Sequence, residues 1–190
     1  MKQLLKLLAP YFAVGLFWCI FKNAWLAILA YHAQILFWSR KSIFDIRVPD
    51  NKNIILLATS MIMVGPILYY LLPYMTRIEL LSWLEDYHLS RLSLIIMIPY
   101  FGLIHPFLEQ LHWTGLRDRT PLAHPVFAGY HMLVLYSLLT IPWLIMLFVV
   151  LIATSLIWQQ MGKKSNSLLP ATMSHILADL GVVVVAWVKT

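Results

Sequence analysis

The feature of this sequence that most limits its fold is a series of long, nearly uncharged apolar stretches. They cover residues 7–38, 54–74, 92–116, 124–161 and 168–188. A helix needs about 20 mostly apolar residues to cross the ~30 Å hydrocarbon core of a bilayer, where every backbone polar group must be satisfied internally. Charged residues make up 12% of the chain, about half the usual share in soluble domains. The sequence predicts an all-α, polytopic integral membrane helix bundle.

The first stretch, residues 7–38, is too long for one ordinary span. As a single helix it would measure ~48 Å, so it either tilts and protrudes or breaks near Lys22 and Asn23, and two full spans are not expected to fit. Lys2 and Lys6 precede it, as in a secretory signal, but no small-residue cleavage site ends a short apolar core. We expect a retained membrane helix.

The remaining stretches complete a bundle of about six membrane helices. Pro142 divides the stretch 124–161, which predicts helices over 125–139 and 141–161. Residues 77–90 mix Leu and Trp with carboxylates, which is typical of a short interfacial helix. We expect one membrane domain, residues 1–190, with N-terminal helices and an interfacial segment in 1–91 and the polar residues of interest in 92–188.

The basic residues give an orientation. The loops 39–53, 117–123 and 162–167 would lie on one side with eight Lys and Arg, and the other side would hold five. The positive-inside rule makes the first side cytoplasmic and places both termini on the other side. The net charge of +6 is therefore explained by topology, and no basic run with interleaved polar residues indicates a nucleic-acid partner.

Polar residues recur at one depth in three remote helices. Glu109, His131 and His175 each lie about seven residues from the predicted cytoplasmic end of their helix, or ~10 Å below the same surface. Asp179 follows His175 by four residues, on the same helical face. A buried carboxylate beside imidazoles suits the activation of water, and the His175–Asp179 pair suits the stabilisation of an oxyanion. Such residues can also simply tie helices together. His105 and His112 are expected to be structural or interfacial, and His32 and His88 interfacial.

Three short motifs carry a resemblance to a known family. They are Glu109-Gln110-Leu111-His112-Trp113-Thr114, Phe127-Ala128-Gly129-Tyr130-His131 and His175-Ile176-Leu177-Ala178-Asp179. In order and spacing they resemble the signature Glu-Glu-x-x-x-Arg, Phe-x-x-x-His, His-x-x-x-Asn/Asp of the CPBP (Abi) family, the CAAX prenyl protease-like and bacteriocin-processing intramembrane proteins. The similarity extends over residues 106–184.

The resemblance implies a peptidase without a metal or other cofactor. Glu109 would activate water with help from His131, His175 and Asp179 would line the oxyanion site, and the supporting positions are Gln110, His112, Thr114 and Phe127. The substrate would be a membrane-associated or lipidated polypeptide, cleaved on the cytoplasmic side.

The first motif departs from the family pattern, because Gln110 replaces the second Glu and Thr114 replaces the Arg. One carboxylate and one cation are therefore lost together, and His112 is a candidate to replace part of their function. Two alternatives follow. One is an inactive relative that acts as a membrane scaffold or sequestering partner. The other is a metal-dependent membrane enzyme or metal transporter, since these His, Glu and Asp side chains are competent zinc ligands.

Overall fold

A computed structural model describes residues 2–39 and 46–190, and it is built from helices that run along one another. The helices are α1 (Lys2–Ala13), α2 (Ala24–Ser39), α3 (Lys52–Thr59), α4 (Val64–Met75), α5 (Leu80–Asp86), α6 (Arg91–Pro99), α7 (His105–Arg117), α8 (Ala123–Leu135), α9 (Ile141–Ser165) and α10 (Leu169–Lys189). A π-helical segment, Val14–Ile20, continues α1, and a second, Tyr100–Ile104, joins α6 to α7. Within the described residues, β-pairing is limited to an isolated bridge between Thr76 and Leu139. The predicted all-α fold is confirmed.

Five helical stretches are long and apolar enough to cross a membrane. They are Lys2–Ile20, Lys52–Met75, Arg91–Arg117, Ile141–Ser165 and Leu169–Lys189. Two shorter helices, α2 with 16 residues and α8 with 13, pack among them. Large apolar side chains such as Leu56, Leu92 and Ile141 are about 70% exposed, which suits contact with lipid rather than water.

The open question in residues 7–38 is decided in favour of two helices. Lys22 adopts a left-handed conformation with φ 49°, which ends the first helix. The Asn23 side-chain oxygen then accepts a hydrogen bond from the Leu26 N–H at 2.9 Å and so caps α2. The turn is held to the interfacial segment, because the Ala24 N–H donates to the Tyr87 carbonyl at 3.1 Å.

This hairpin moves the N-terminus to the other end of the bundle. The Lys6 ammonium donates to the Trp38 carbonyl at 3.4 Å, so both lie at one end, where Lys163 also pairs with Asp118 at 3.7 Å. We call this the basic end. The Thr76–Leu139 bridge, together with Arg77 donating to Ser137, defines the opposite end, the Ser137 end.

The prediction that both termini share a side is therefore wrong, since α10 starts at the basic end and runs to the Ser137 end at Lys189. The predicted loops after α2, α7 and α9 do meet at the basic end, where Ser167 donates to the Arg47 carbonyl at 2.7 Å and Lys163 pairs with Asp118. Arg40 and Lys41, which the orientation prediction counts, lie outside the described residues.

Candidate functional site around Glu109

Helices α7, α8 and α10 bring the polar motif residues together around the side chain of Glu109, and α2 adds residues of its own. Glu109 is completely buried, and His175 is 3% exposed. His131 and Asp179 are partly buried and form the rim of the cluster. His105 lies one turn before Glu109 on the same face of α7, so its imidazole also faces the carboxylate.

One carboxylate oxygen of Glu109 is held by two tyrosines. The Tyr31 hydroxyl of α2 donates to Oε1 at 2.5 Å, and the Tyr130 hydroxyl of α8 donates to the same oxygen. The Trp113 indole N–H in turn donates to the Tyr31 oxygen at 2.9 Å. Charge-assisted O–H···O bonds are short and strong, so Oε1 is fixed in place.

The other oxygen of Glu109 faces two imidazoles. Oε2 lies 3.7 Å from the Nε2 atom of His105 and 3.7 Å from the Nε2 atom of His175. These separations exceed a direct hydrogen bond, and Oε2 has no hydrogen-bond partner among the described residues. The carboxylate is therefore asymmetric, with one anchored oxygen and one oxygen available to a proton.

His131 reaches Glu109 through a tyrosine rather than directly. Its Nδ1 donates to the Phe127 carbonyl at 2.9 Å, and its Nε2 lies 3.1 Å from the Tyr130 hydroxyl that bonds Glu109. The Phe127 ring is fully buried and packs edge-on against His131, with centroids 4.8 Å apart. Because a carbonyl only accepts, His131 carries a proton on Nδ1, and the single Tyr130 hydroxyl proton can bond either Glu109 Oε1 or His131 Nε2, but not both at once. Tyr130 thus bridges the base and the imidazole.

A chain of donors fixes the orientation of His175. Arg117 Nη1 donates to the Gln110 side-chain oxygen at 2.8 Å, which turns the Gln110 amide nitrogen towards His175 Nδ1 at 3.2 Å. Neutral His175 therefore carries its proton on Nε2, the atom that faces Glu109 and also lies 3.4 Å from Asp179 Oδ2. The His175 ring stacks on Trp158 with centroids 4.3 Å apart.

Arg117 supplies a cation that the sequence motif lacks at Thr114. Its guanidinium is buried, donates to Ser155 at 2.9 Å, and lies 5.1 Å from the centre of the Phe127 ring. The expectation that the site has lost its cation is therefore wrong, because Arg117 lies seven residues after Gln110 and shares its helical face. That i, i+7 spacing is the signal by which Arg117 could have been found, but sequence reasoning counted it as a loop residue.

Two other supporting residues lie apart from this chemistry. His112 Nε2 donates to the Lys6 carbonyl at 3.0 Å, so it fastens α7 to α1. Thr114 is partly buried, and its side chain takes part in none of the hydrogen bonds that join the site among the described residues. The idea that His112 replaces a lost motif residue is not supported by this geometry.

Sequence reasoning missed the contribution of α2. His32 is 3% exposed, so its assignment to the membrane interface is wrong, while His88 is exposed as expected. The polar pair Tyr31–His32 in the middle of an apolar helix was the available signal. Tyr130, next to His131, had no signal beyond its position in the motif.

The arrangement provides a buried carboxyl group, two imidazoles whose Nε2 atoms lie 3.7 Å from one of its oxygens, and a second carboxylate at the rim. Within the part of the chain that the structure describes, no group of three or more His, Cys, Asp or Glu is arranged to hold a metal ion. The chain matches no protein-family model, and neither curated proteins nor solved structures give a significant match.

Proposed function

We propose that this chain is an intramembrane endopeptidase of the CAAX-protease-like type, which hydrolyses a peptide bond in a membrane-associated polypeptide. The single observation that carries the proposal is the asymmetry of Glu109. One of its oxygens is anchored by Tyr31 and Tyr130, and the other lies unbonded between two imidazoles at 3.7 Å. A general base needs a free oxygen held in a fixed direction.

The proposed reaction assigns a proton to each step. Glu109 Oε2 takes a proton from water while the water oxygen bonds the peptide carbonyl carbon. The carbonyl electron pair moves to oxygen, and the His175 Nε2–H, held by Gln110 and Arg117, donates to that oxyanion. Glu109 then returns its proton to the amide nitrogen as the carbon–nitrogen bond breaks. His131, linked through the Tyr130 hydroxyl, compensates the change of charge on Glu109.

The distribution of charge supports a cytoplasmic site. Among the described residues the basic end holds eight Lys and Arg, and the Ser137 end holds four. The first group is Lys2, Lys6, Arg47, Lys52, Arg117, Arg119, Lys163 and Lys164, and the second is Lys22, Arg77, Arg91 and Lys189. Arg117, which contacts the site, lies in the last turn of α7 at the basic end. The positive-inside rule then favours a multi-pass protein whose site opens towards the cytoplasm.

The test compares polypeptide termini in membranes that contain the wild-type chain or Glu109→Gln. The amide keeps the shape and can still accept from both tyrosines, but it cannot take a proton. We expect cleavage products to fall by about 100-fold or more. Glu85→Gln is the matched control, since Glu85 is an exposed carboxylate on α5, and it should leave the products unchanged. An identical set of termini in wild type and Glu109→Gln would falsify the proposal.

A second candidate function is a non-catalytic scaffold or sequestering partner that binds membrane polypeptides without cleaving them. The observation that favours it is Gln110, an amide where the family has a carboxylate, whose two polar atoms are already engaged by Arg117 and His175. This alternative predicts a partner that co-purifies equally well with the wild-type chain and with Glu109→Gln. The peptidase predicts instead that the partner accumulates only on Glu109→Gln.

A further inference from the structure

A second line of hydrogen bonds leads from Glu109 away from the motif residues. The Tyr100 hydroxyl lies 2.7 Å from His32 Nδ1, and His32 Nε2 lies 2.9 Å from His105 Nδ1. His105 Nε2 then faces Glu109 Oε2 at 3.7 Å. Both imidazoles are at most 5% exposed, whereas Tyr100 is only partly buried. Tyr100, His32 and His105 all lie outside the three motifs.

The π-helical segment is what allows this line to form. Tyr100 and His105 are five residues apart and would point about 140° apart on an α-helix. Here the His105 N–H donates to the Tyr100 carbonyl, the i→i+5 bond of a π-helix, which brings the two residues towards one face. Both side chains therefore reach His32 on α2. The Phe101 ring stacks on His105, with centroids 4.6 Å apart, and fixes the plane of the imidazole.

We propose that Tyr100, His32 and His105 form a proton-transfer chain that exchanges the proton of Glu109 with the edge of the bundle. The proposal rests on the proposed function for its purpose, which is to reset the protonation of the base between turnovers. It requires that Glu109 binds and releases a proton and that water reaches the partly buried Tyr100 hydroxyl. The last step spans 3.7 Å, so it needs an approach of roughly 0.5 Å or a bridging water.

The chain has two states that differ only in the positions of protons. In the first, Glu109 is protonated, each imidazole carries its proton on Nδ1, and the Tyr100 oxygen accepts from His32. Glu109 then passes its proton to His105 Nε2, His105 Nδ1–H passes to His32 Nε2, and His32 Nδ1–H passes to Tyr100, whose own proton leaves to solvent water. Glu109 becomes a carboxylate, and both imidazoles end neutral with the proton on Nε2. One proton is lost in total, and every hydrogen bond is kept with its direction reversed.

Holding α2 against α7 would not by itself require a histidine at position 32. An amide in place of His32 would join α2 to α7 equally well, but only an imidazole accepts a proton on one nitrogen while it releases one from the other. The other groups that face His105 and Glu109 are the hydroxyl of Tyr31 on α2, the hydroxyl of Tyr130 on α8 with its partner His131, and the His175–Asp179 pair on α10. None of these lies between Tyr100 and Glu109, so removal of the Tyr100 hydroxyl interrupts this line alone.

The experiment follows the protons directly, in the full chain reconstituted in lipid nanodiscs. Hydrogen–deuterium exchange of the Glu109 carboxyl is timed by infrared spectroscopy, with its band assigned by Glu109→Gln, and the tautomers of His32 and His105 are recorded by 15N NMR. Tyr100→Phe keeps the ring and removes the hydroxyl, and His32→Gln keeps the hydrogen bonding but cannot relay a proton. Tyr70→Phe, 73% exposed on α4, is the matched control.

We expect both chain variants to slow the exchange at Glu109 by at least about tenfold, and Tyr70→Phe to leave it unchanged. Tyr100→Phe should also change the tautomer of His105, which it does not touch. Exchange at the wild-type rate in both chain variants, or an unchanged His105 tautomer, overturns the proposal. These readouts need no substrate, so a failed peptidase assay would leave them intact, and a failed relay would leave the peptidase assay intact.

Discussion

At the scale of single residues, the geometry of the site depends on the hydrogen-bond partners of each polar atom. Glu109 Oε1 receives two hydroxyl protons, whereas Oε2 receives none among the described residues. A buried carboxylate oxygen without a partner costs about 1–3 kcal/mol. Such a cost is maintained in folded proteins chiefly where it serves a site, so the asymmetry itself indicates function.

The first prediction concerns the bridge between Glu109 and His131. Tyr130→Phe removes one donor to Glu109 and the contact to His131, while the ring continues to stack on Trp113. We expect a loss of about 1–3 kcal/mol in the free energy of unfolding and roughly a 10–100-fold loss of cleavage. Quantification of polypeptide termini and denaturant titration measure the two effects. Tyr136→Phe is the control, because Tyr136 directly follows α8 and is 49% exposed. Equal behaviour of the two variants would contradict the role of Tyr130.

The second prediction concerns the buried cation. Arg117→Met keeps much of the apolar volume between Phe127 and Trp158 but removes the donor to Gln110. Gln110 is then free to rotate its amide, so His175 loses the fixed proton on Nε2, and we expect cleavage to fall about tenfold or more. Arg119→Met, an exposed neighbour at the same end, should have no effect. A 15N NMR spectrum in which the His175 tautomer survives Arg117→Met would refute this account.

At the scale of helices, two features bring the site together. The π-helical segment Tyr100–Ile104 rotates α7 relative to α6, and π-segments of this kind are frequently found at functional sites. A close helix crossing lies between α4 and α10, where Gly65 and Gly181 allow the backbones to approach each other. Small residues permit such close approach in membranes, where van der Waals packing rather than the hydrophobic effect drives association.

The third prediction tests that crossing. A Cβ atom at Gly181 would lie 2.7 Å from the Gly65 nitrogen and 2.9 Å from its Cα, so Gly181→Ala forces two backbones apart. We expect a loss of about 1–3 kcal/mol in the free energy of unfolding, measured by denaturant titration in detergent. Gly115→Ala is the control, because a Cβ atom added at Gly115 has no neighbouring atom within 4 Å. This variant should be neutral or slightly stabilising. If both variants unfold alike, the close contact between α4 and α10 is not formed.

At the scale of the whole molecule, the chain places its two ends on opposite faces of the bundle. Lys6 contacts Trp38 at the basic end, while Lys189 lies over the Tyr69 ring, 3.8 Å from its centre, towards the Ser137 end. Aromatic rings pack at the Ser137 end, where Trp18 stacks on Tyr87 with centroids 4.1 Å apart. We expect a polypeptide substrate to reach Glu109 from the basic end, whereas the proposed relay carries only protons through Tyr100.

The fourth prediction tests this topology in membranes. In a Cys19→Ser background, one variant carries a single cysteine in place of Lys163 at the basic end, and a second carries one in place of the exposed Glu85 on α5. A membrane-impermeant thiol reagent is then applied to sealed vesicles of known orientation. We expect the two positions to be labelled from opposite sides. Affinity tags at the two termini should likewise be protected from protease on opposite sides. Termini on the same side would restore the even number of crossings that the sequence had suggested.

The sequence by itself determined the helices and one part of the site. Apolar length and Pro142 predicted the helices near their observed bounds, and spacing within single helices paired His175 with Asp179 and His105 with Glu109. Such features are readable because helical periodicity is a property of a short stretch of chain. The resemblance to a peptidase family came from the same local motifs, and the peptidase activity remains a prediction.

Only the tertiary structure decided what surrounds Glu109. Tyr31 is 78 residues from Glu109 in the chain, and it reaches the carboxylate because the Lys22–Asn23 break folds α2 back against α7. Arg117 likewise bonds Gln110 because the end of α7 is buried against α9, where Arg117 also donates to Ser155. Contacts between helices depend on crossing angles and on the depth at which each side chain is covered, and neither is encoded in any single segment.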